Sequence, residues 1–152
     1  LVPCGLQRVV VKQVSSPLDV SFTFKEGHGA PLHVGSSGKL LLTMMDDHVL
    51  EIILKNLELV RLGPNTITDK KILTKELDMI RKQGYAISFG ETQAGTAGGS
   101  APITNYLCPA VLCLLGPEFR FKPADYLDEL IKCADRISKK ILKISRQKKV
   151  RK

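Results

Sequence analysis

The chain lacks any apolar run of membrane-spanning length; its longest candidates are broken by Pro109, Gly116 and charged residues. No cleavable leader pattern opens it. The first residues, "LVPCGLQRVVV", read as a strand already under way, which predicts a piece of a longer protein. Its four cysteines, Cys4, Cys108, Cys113 and Cys133, form no CxxC pair, and its three histidines show no His-x3-His spacing. A metal site is therefore not expected. Cys113 lies in an apolar run and Cys133 in a helix pattern, where cysteine acts as a small buried hydrophobe. Reduced thiols suit a cytoplasmic setting. No nucleophile elbow or other local signature picks a catalytic set from the dispersed acids and histidines, so no enzyme and no cofactor are expected.

Acidic residues are also missing, but only at one end. Residues 139–152, "KKILKISRQKKVRK", carry eight Lys/Arg and no acid, whereas residues 1–138 hold fifteen of each sign. The net charge of +8 is thus the charge of a tail on a neutral body. No aromatic residue interleaves the tail's cations to stack on bases. It reads as a solvated helix end, with cations favoured near the C-terminal dipole, rather than as a nucleic-acid patch.

What is present is one domain's worth of chain: 152 residues, 43% hydrophobic and 25% charged. "QRVVVKQV" and "LDVSFTF" predict strands separated by a turn at "SSP"; Leu18, Val20, Phe22 and Phe24 alternate with polar residues at a period of two. A "KEGHGAP" loop follows. Residues 36–45 predict a short, buried helix with Ser36 as N-cap. Asp46 or Asp47 caps a second helix, "DHVLEIILKN". Thr68 then precedes an amphipathic helix, with Ile72, Leu73, Leu77 and Ile80 on one face and Gly84 at its end. "YAISF" reads as a strand, "GETQAGTAGGS" as a glycine-bearing loop and "APITNYLCPAVLCLL" as a hairpin. Pro123 starts a closing helix that buries Leu127, Leu130, Ile131, Ala134, Ile137, Ile141 and Ile144. Helices segregated from a mostly antiparallel sheet indicate an α+β fold. No internal repeat appears.

"PLHVGSSGKLLL" poses the first functional question, because Gly38-Lys39 resembles half of a phosphate-binding loop. A Walker A loop needs a glycine where His33 stands and a hydroxyl where Leu40 stands. The nucleotide reading fails on both counts. His33 reads as a residue that satisfies neighbouring backbone and holds a loop, since nothing pairs with it at metal-ligand spacing. Glu91 is placed to be a base but reads as a solvated loop acid. The "GETQAGTAGGS" stretch admits two readings: backbone approaching a small molecule, or a flexible surface loop.

Taken in order, "GHGAPLHVGSSGKLLL", "PNTITDKKILTKELDMIRKQGYAI", "GETQAGTAGGSAPI", "GPEFRF" and "LIKCADRISKKI" resemble the C-terminal effector-binding domain of IclR-type transcriptional regulators. The likeness covers most of residues 27–142, and residues 7–24 fit less distinctively. It implies a GAF-like (profilin-like) domain across residues 1–152, with 145–152 as a basic tail, in which a mostly antiparallel sheet flanked by helices holds a small-molecule pocket. It further implies an N-terminal winged helix-turn-helix that binds DNA, absent from this chain, and assembly into a homodimer or tetramer, with no membrane partner. On this reading Gly38-Lys39 belongs to the domain's first helix.

Departures from the family pattern bear on the ligand. Family members that sense small organic acids use an acidic residue after the Gly-Tyr-Ala strand, a cysteine in the glycine-bearing loop and two serines on the last strand. The resemblance places Ser88, Gly98, Cys113 and Leu115 there, the last two by counting back from Gly116-Pro117 across a slightly shortened hairpin. Gly35 stands where threonine is common. With the amides of residues 36–38, the implied ligand-binding set is Gly35, Ser36, Ser37, Ser88, Gly98, Cys113 and Leu115, with no metal ligand and no catalytic residue. These changes favour an amphipathic or aromatic organic acid over glyoxylate-sized ones. Two other readings are a small enzyme using a similar pocket and a stand-alone interaction module acting through the basic tail.

Overall fold

The computed structural model describes residues 1–18 and 21–150. A turn at Gly5-Leu6 folds the opening residues into a hairpin, so β1 (Val2–Cys4) and β2 (Gln7–Val9) pair antiparallel where one strand was expected. β3 (Gly29–Pro31), expected as loop, completes this first sheet against β2. Val10 prolongs the ladder through Gly27 and His28, at 2.8 and 3.0 Å, but "KQV" carries no strand. The expected strand over 18–24 is also absent among its described residues, Asp19 and Val20 lying outside them. Its alternation survives as burial: Phe22 and Phe24 are half-buried while Ser21 and Thr23 are exposed. The side-chain pattern records which face is apolar, but a strand also needs a partner ladder.

β4 (Ala86–Phe89), β5 (Thr96–Ile103) and β6 (Ala110–Pro117) form the second sheet, antiparallel throughout. Half of the expected glycine-bearing loop is therefore strand: β5 begins at Thr96, and Thr96–Ser100 are buried. The flexible-loop reading fails there because a helix covers each face of this strand, and such close approach needs small residues. Leu1 N donates to Val111 O at 2.9 Å and Val111 N to Leu1 O at 3.0 Å, so β1 meets the outer edge of β6 and links the two sheets.

α1 (Gly35–Thr43) lies on one face of the second sheet, and Gly35 through Leu42 are all buried. It starts one residue before the expected Ser36 cap and stops before Met44. Ser36 is inside the helix, and the carboxylate that caps the first amide comes from Glu91, far away in sequence. α2 (Asp47–Asn56) follows Asp46, which makes no side-chain cap bond. α3 (Lys70–Gln83) is capped by Asp69 rather than Thr68, its carboxylate accepting Ile72 N at 2.9 Å, and ends at Gly84 as expected. Leu73, Leu77 and Ile80 are buried, but Ile72 is 58% exposed, one step round the helix from that stripe. They join Leu32, Leu40, Leu41, Leu42, Ala86 and Val111 in the main core.

A 3-10 turn (Pro123–Tyr126) leads into α4 (Leu127–Val150) on the opposite face. Leu130 and Ala134 bury against Ala101, and Leu127, Ile137 and Ile141 are half-buried. Ile131 and Ile144 are 39% and 47% exposed, against expectation, because the narrow sheet meets only one stripe of this long helix. Ser138 occupies a buried position instead, accepting Thr104 N at 2.9 Å and donating to Ala134 O at 2.8 Å. No described helix is long and apolar enough to cross a membrane.

One buried ion cluster sets the position of α1. Lys39, 1% exposed, donates to Glu76 Oε1 of α3 at 2.9 Å and to Glu91 Oε1 at 2.6 Å. Glu91 Oε2 accepts Gly35 N at 2.9 Å. The lysine that suggested a phosphate loop is thus consumed by two carboxylates. Nearby, His33 is buried and its Nε2 bonds Val60 O at 2.9 Å, the loop-holding role expected of it. A carbonyl only accepts, so Nε2 carries the proton and Nδ1, which has no partner among the described residues, is bare. Burial holds His33 below its ordinary value of 6.5, partly offset by Val60 and Glu91.

Three expectations follow for stability. Lys39→Met leaves Glu91 as an uncompensated buried charge and costs about 3–5 kcal/mol in urea denaturation, part of which returns on adding Glu91→Gln. His33 adds no pH dependence well above pH 6.5, where folded and unfolded forms are both neutral; as the pH falls toward and below it the unfolded chain takes the proton first. Thermal stability therefore falls from pH 7 to 5, and less steeply in His33→Gln. Deleting residues 146–152 leaves the melting temperature nearly unchanged, since Arg146 and Gln147 are exposed. Arg151 and Lys152 of that tail lie outside the described residues.

Candidate functional site

Strand register assembles the site. Ser88 of β4 pairs with Gly98 of β5, which pairs with Leu115 of β6; one row along, Ala86, Ser100 and Cys113 are aligned. Residues two apart share a face, so these rows form one surface under the start of α1. Ser36 sits over it: its amide donates to Ser88 Oγ at 2.9 Å, and its Oγ lies 2.9 Å from Ser100 Oγ and 3.9 Å from Cys113 Sγ. A Cβ on Gly98 would stand 3.1 Å from Ser36 Oγ and 3.4 Å from Ser88 Oγ, so glycine is what admits the helix here.

Beside this surface is a cavity of about 660 Å3, lined mostly by apolar side chains. Gly35, Ser36, Ser37, Ser88, Gly98, Cys113 and Leu115 all reach it. Its outer wall comes from residues 10–16 with Phe22 and Phe24. The inward alternation of the missing strand therefore marks a pocket wall.

Three details differ from the sequence reading. The first amides of α1 are not free, because Glu91 and Ser88 already take those of Gly35 and Ser36. Gly35 does more than open space: its φ of +77° is a conformation that L side chains rarely adopt, and a Cβ there would lie 3.2 Å from Thr92 Oγ1. Glu91, read as a solvated acid, is 6% exposed. The "GPNT" segment explains why. Asn65 Nδ2 donates to Phe89 O at 3.0 Å, Asn65 N to Gly90 O at 3.2 Å, and Thr66 Oγ1 to Glu91 O at 2.6 Å. These bonds hold the β4–β5 turn so that Glu91 points inward.

Sequence reasoning missed Arg8. It is 3% exposed, its Nε donates to Val34 O at 3.3 Å, and it lines the cavity. Neither Nη atom has a protein acceptor among the described residues. Burial pulls the guanidinium below its ordinary value, with Cys113 and then Glu91 offsetting part of the effect. Arginine nevertheless keeps its charge. The available signal was periodicity: Arg8 shares its strand face with Val10, and both point inward. A buried guanidinium with two open nitrogens is a receptor for a planar anion, above all a carboxylate.

Comparison with known proteins agrees with this architecture. The family model for the bacterial transcriptional regulator IclR C-terminal region matches residues 5–139. The HTH-type transcriptional regulator KipR of Bacillus subtilis is 31% identical over 90% of this chain, which spans 57% of KipR. The IclR structure from Thermotoga maritima superposes with a TM-score of 0.83 at 30% identity, covering 92% of this chain and 59% of that one. An IclR homologue from Microbacterium hydrocarbonoxydans, solved with 4-hydroxybenzoate, gives 0.82 at 26% identity, covering 92% and 58%. With an α+β fold of antiparallel sheets between helices and a cavity at the start of α1, the chain belongs to the IclR family and comprises its C-terminal, GAF-like effector-binding domain.

Proposed function

We propose that this domain senses an organic acid whose carboxylate pairs with Arg8 and whose aromatic or aliphatic body lies against Leu115 and Cys113. The observation that carries this reading is the open guanidinium of Arg8 in a cavity lined mostly by apolar side chains. An uncompensated buried cation favours an anionic ligand, and the apolar lining favours one with a hydrophobic body. That body contributes ~25 cal/mol per Å2 of apolar surface buried, so a ring burying ~100 Å2 adds about 2.5 kcal/mol. The hydroxybenzoate in the Microbacterium relative is an acid of this class.

The site is one for binding rather than turnover. Glu91 is engaged by Lys39 and the Gly35 amide, which removes the one acid placed to act as a base. In the whole cytoplasmic regulator, an N-terminal winged helix-turn-helix would read DNA and this domain would bind effector and self-associate. Effector shifts DNA binding only as far as it prefers one arrangement of the associated chains over the other.

Calorimetry on this chain tests the reading. 4-Hydroxybenzoate binds more tightly than glyoxylate or pyruvate, and 4-hydroxybenzamide, which lacks the charge, does not bind. Arg8→Gln weakens the acid roughly tenfold to a hundredfold, the equivalent of ~1.5–3 kcal/mol for a charge-assisted contact. Leu115→Ser weakens it less, and Gly98→Leu excludes it. Tightest binding of glyoxylate, with Leu115→Ser silent, overturns the assignment.

A further inference from the structure

The cavity holds a group that reversible binding of an acid does not need. Cys113 presents its thiol there, half-buried, and is the one cysteine of the four that lines the cavity. Its Sγ lies 3.9 Å from Ser36 Oγ and donates to Leu114 O at 3.4 Å. Arg8 stands at the adjacent residue of the same helix start: a Cβ on Gly35 would be 3.7 Å from Arg8 Nη2. The open guanidinium and the thiol thus flank two consecutive residues, Gly35 and Ser36, and face one cavity. Ser36 Oγ is also within 2.9 Å of Ser100 Oγ, so the sulfur adjoins a pair of linked hydroxyls.

We propose that Cys113 is a covalent capture site for anionic electrophiles: conjugated, unsaturated acids whose carboxylate is held by Arg8 while their electrophilic carbon meets the sulfur. The inference rests on Arg8 as the carboxylate receptor. The step is conjugate addition. The sulfur forms a bond to the β-carbon, the carbon–carbon π bond breaks, and its electron pair moves toward the carbonyl as an enolate. The proton lost by the thiol ends on the α-carbon, with Ser36 Oγ placed to pass it. Nothing leaves and no oxidant is consumed, so the adduct mass equals that of the added molecule. Anchoring by Arg8 makes the addition effectively intramolecular, which distinguishes Cys113 from a merely exposed thiol. The consequence is a second mode of response, in which an electrophilic acid latches the domain in its ligand-bound arrangement.

N-(4-carboxyphenyl)maleimide and neutral N-phenylmaleimide are matched probes, and Cys4 and Cys108, exposed and outside the cavity, are internal references. Labelling rates for each cysteine are read by peptide-mapping mass spectrometry. Relative to Cys4 and Cys108, the acid probe labels Cys113 faster than the neutral probe by a factor on the order of ten or more. The rate at Cys113 saturates with acid-probe concentration, excess 4-hydroxybenzoate suppresses it, and Arg8→Gln abolishes the preference. Competition and saturation in the unsubstituted chain decide the matter even if Arg8→Gln does not fold. Equal preference at all three thiols, or a preference that survives loss of Arg8, overturns the proposal. Calorimetry separates the two readings. Acid binding without selective labelling removes the capture site and leaves the pocket, whereas no acid binding and no selectivity removes both.

Discussion

The contact of Lys39 with Glu91 is the constraint from which the rest of this domain's organisation follows. An ammonium this deeply buried is tolerated only with carboxylates in direct contact, and Lys39 has two, on α3 and on the β4–β5 turn. Satisfying it fixes α1 against both. Glu91, drawn inward to meet the lysine, turns its other oxygen to the Gly35 amide and caps the helix. One carboxylate therefore sets both the depth of α1 and the place where it starts. The bonds from Asn65 and Thr66 to the turn supply the rigidity that this arrangement requires.

The domain contains two buried cations that differ in a functionally important way. Lys39 is fully paired and structural. Arg8, at the same helix start, is nearly as buried but keeps two nitrogens without an acceptor among the described residues, beside a cavity. The difference separates an ion pair that builds the fold from a charge held ready for a ligand. Glu91 lies close enough to influence Arg8 but is held by Lys39 and Gly35, so the guanidinium is not neutralised from within.

The cavity owes its shape to what is small. Gly98 and the serines at 36, 88 and 100 let the helix approach the sheet, and they leave a narrow polar floor beneath apolar walls. Cys113 adds a polarizable thiol to that floor. Phe22 and Phe24 complete the wall from a segment without regular structure, so the pocket is bounded on one side by rigid sheet and on the other by a strap.

Much was legible in the sequence because it is encoded locally. The α3 stripe, its stop at Gly84, the buried character of α1 and the α+β class all follow from periodicity and turn chemistry. So does the failure of Gly38-Lys39 as a phosphate loop, and the family resemblance singled out Ser88, Gly98, Cys113 and Leu115, which strand register then brings onto one surface. What the sequence alone left open depends on partners distant along the chain. The cap of α1 comes from Glu91, so Ser36 was a reasonable but mistaken local choice. Residues 96–100 look like a loop by composition, but neighbouring strands and a helix on each face make them strand. Alternation marked Phe22 and Phe24 as inward but could not supply a ladder for them. Above all, only tertiary structure decided the roles of the charged residues: Lys39 and Glu91 find each other, while Arg8 has no carboxylate in contact among the described residues. A charge is written in one residue, but its compensation is a property of the space around it.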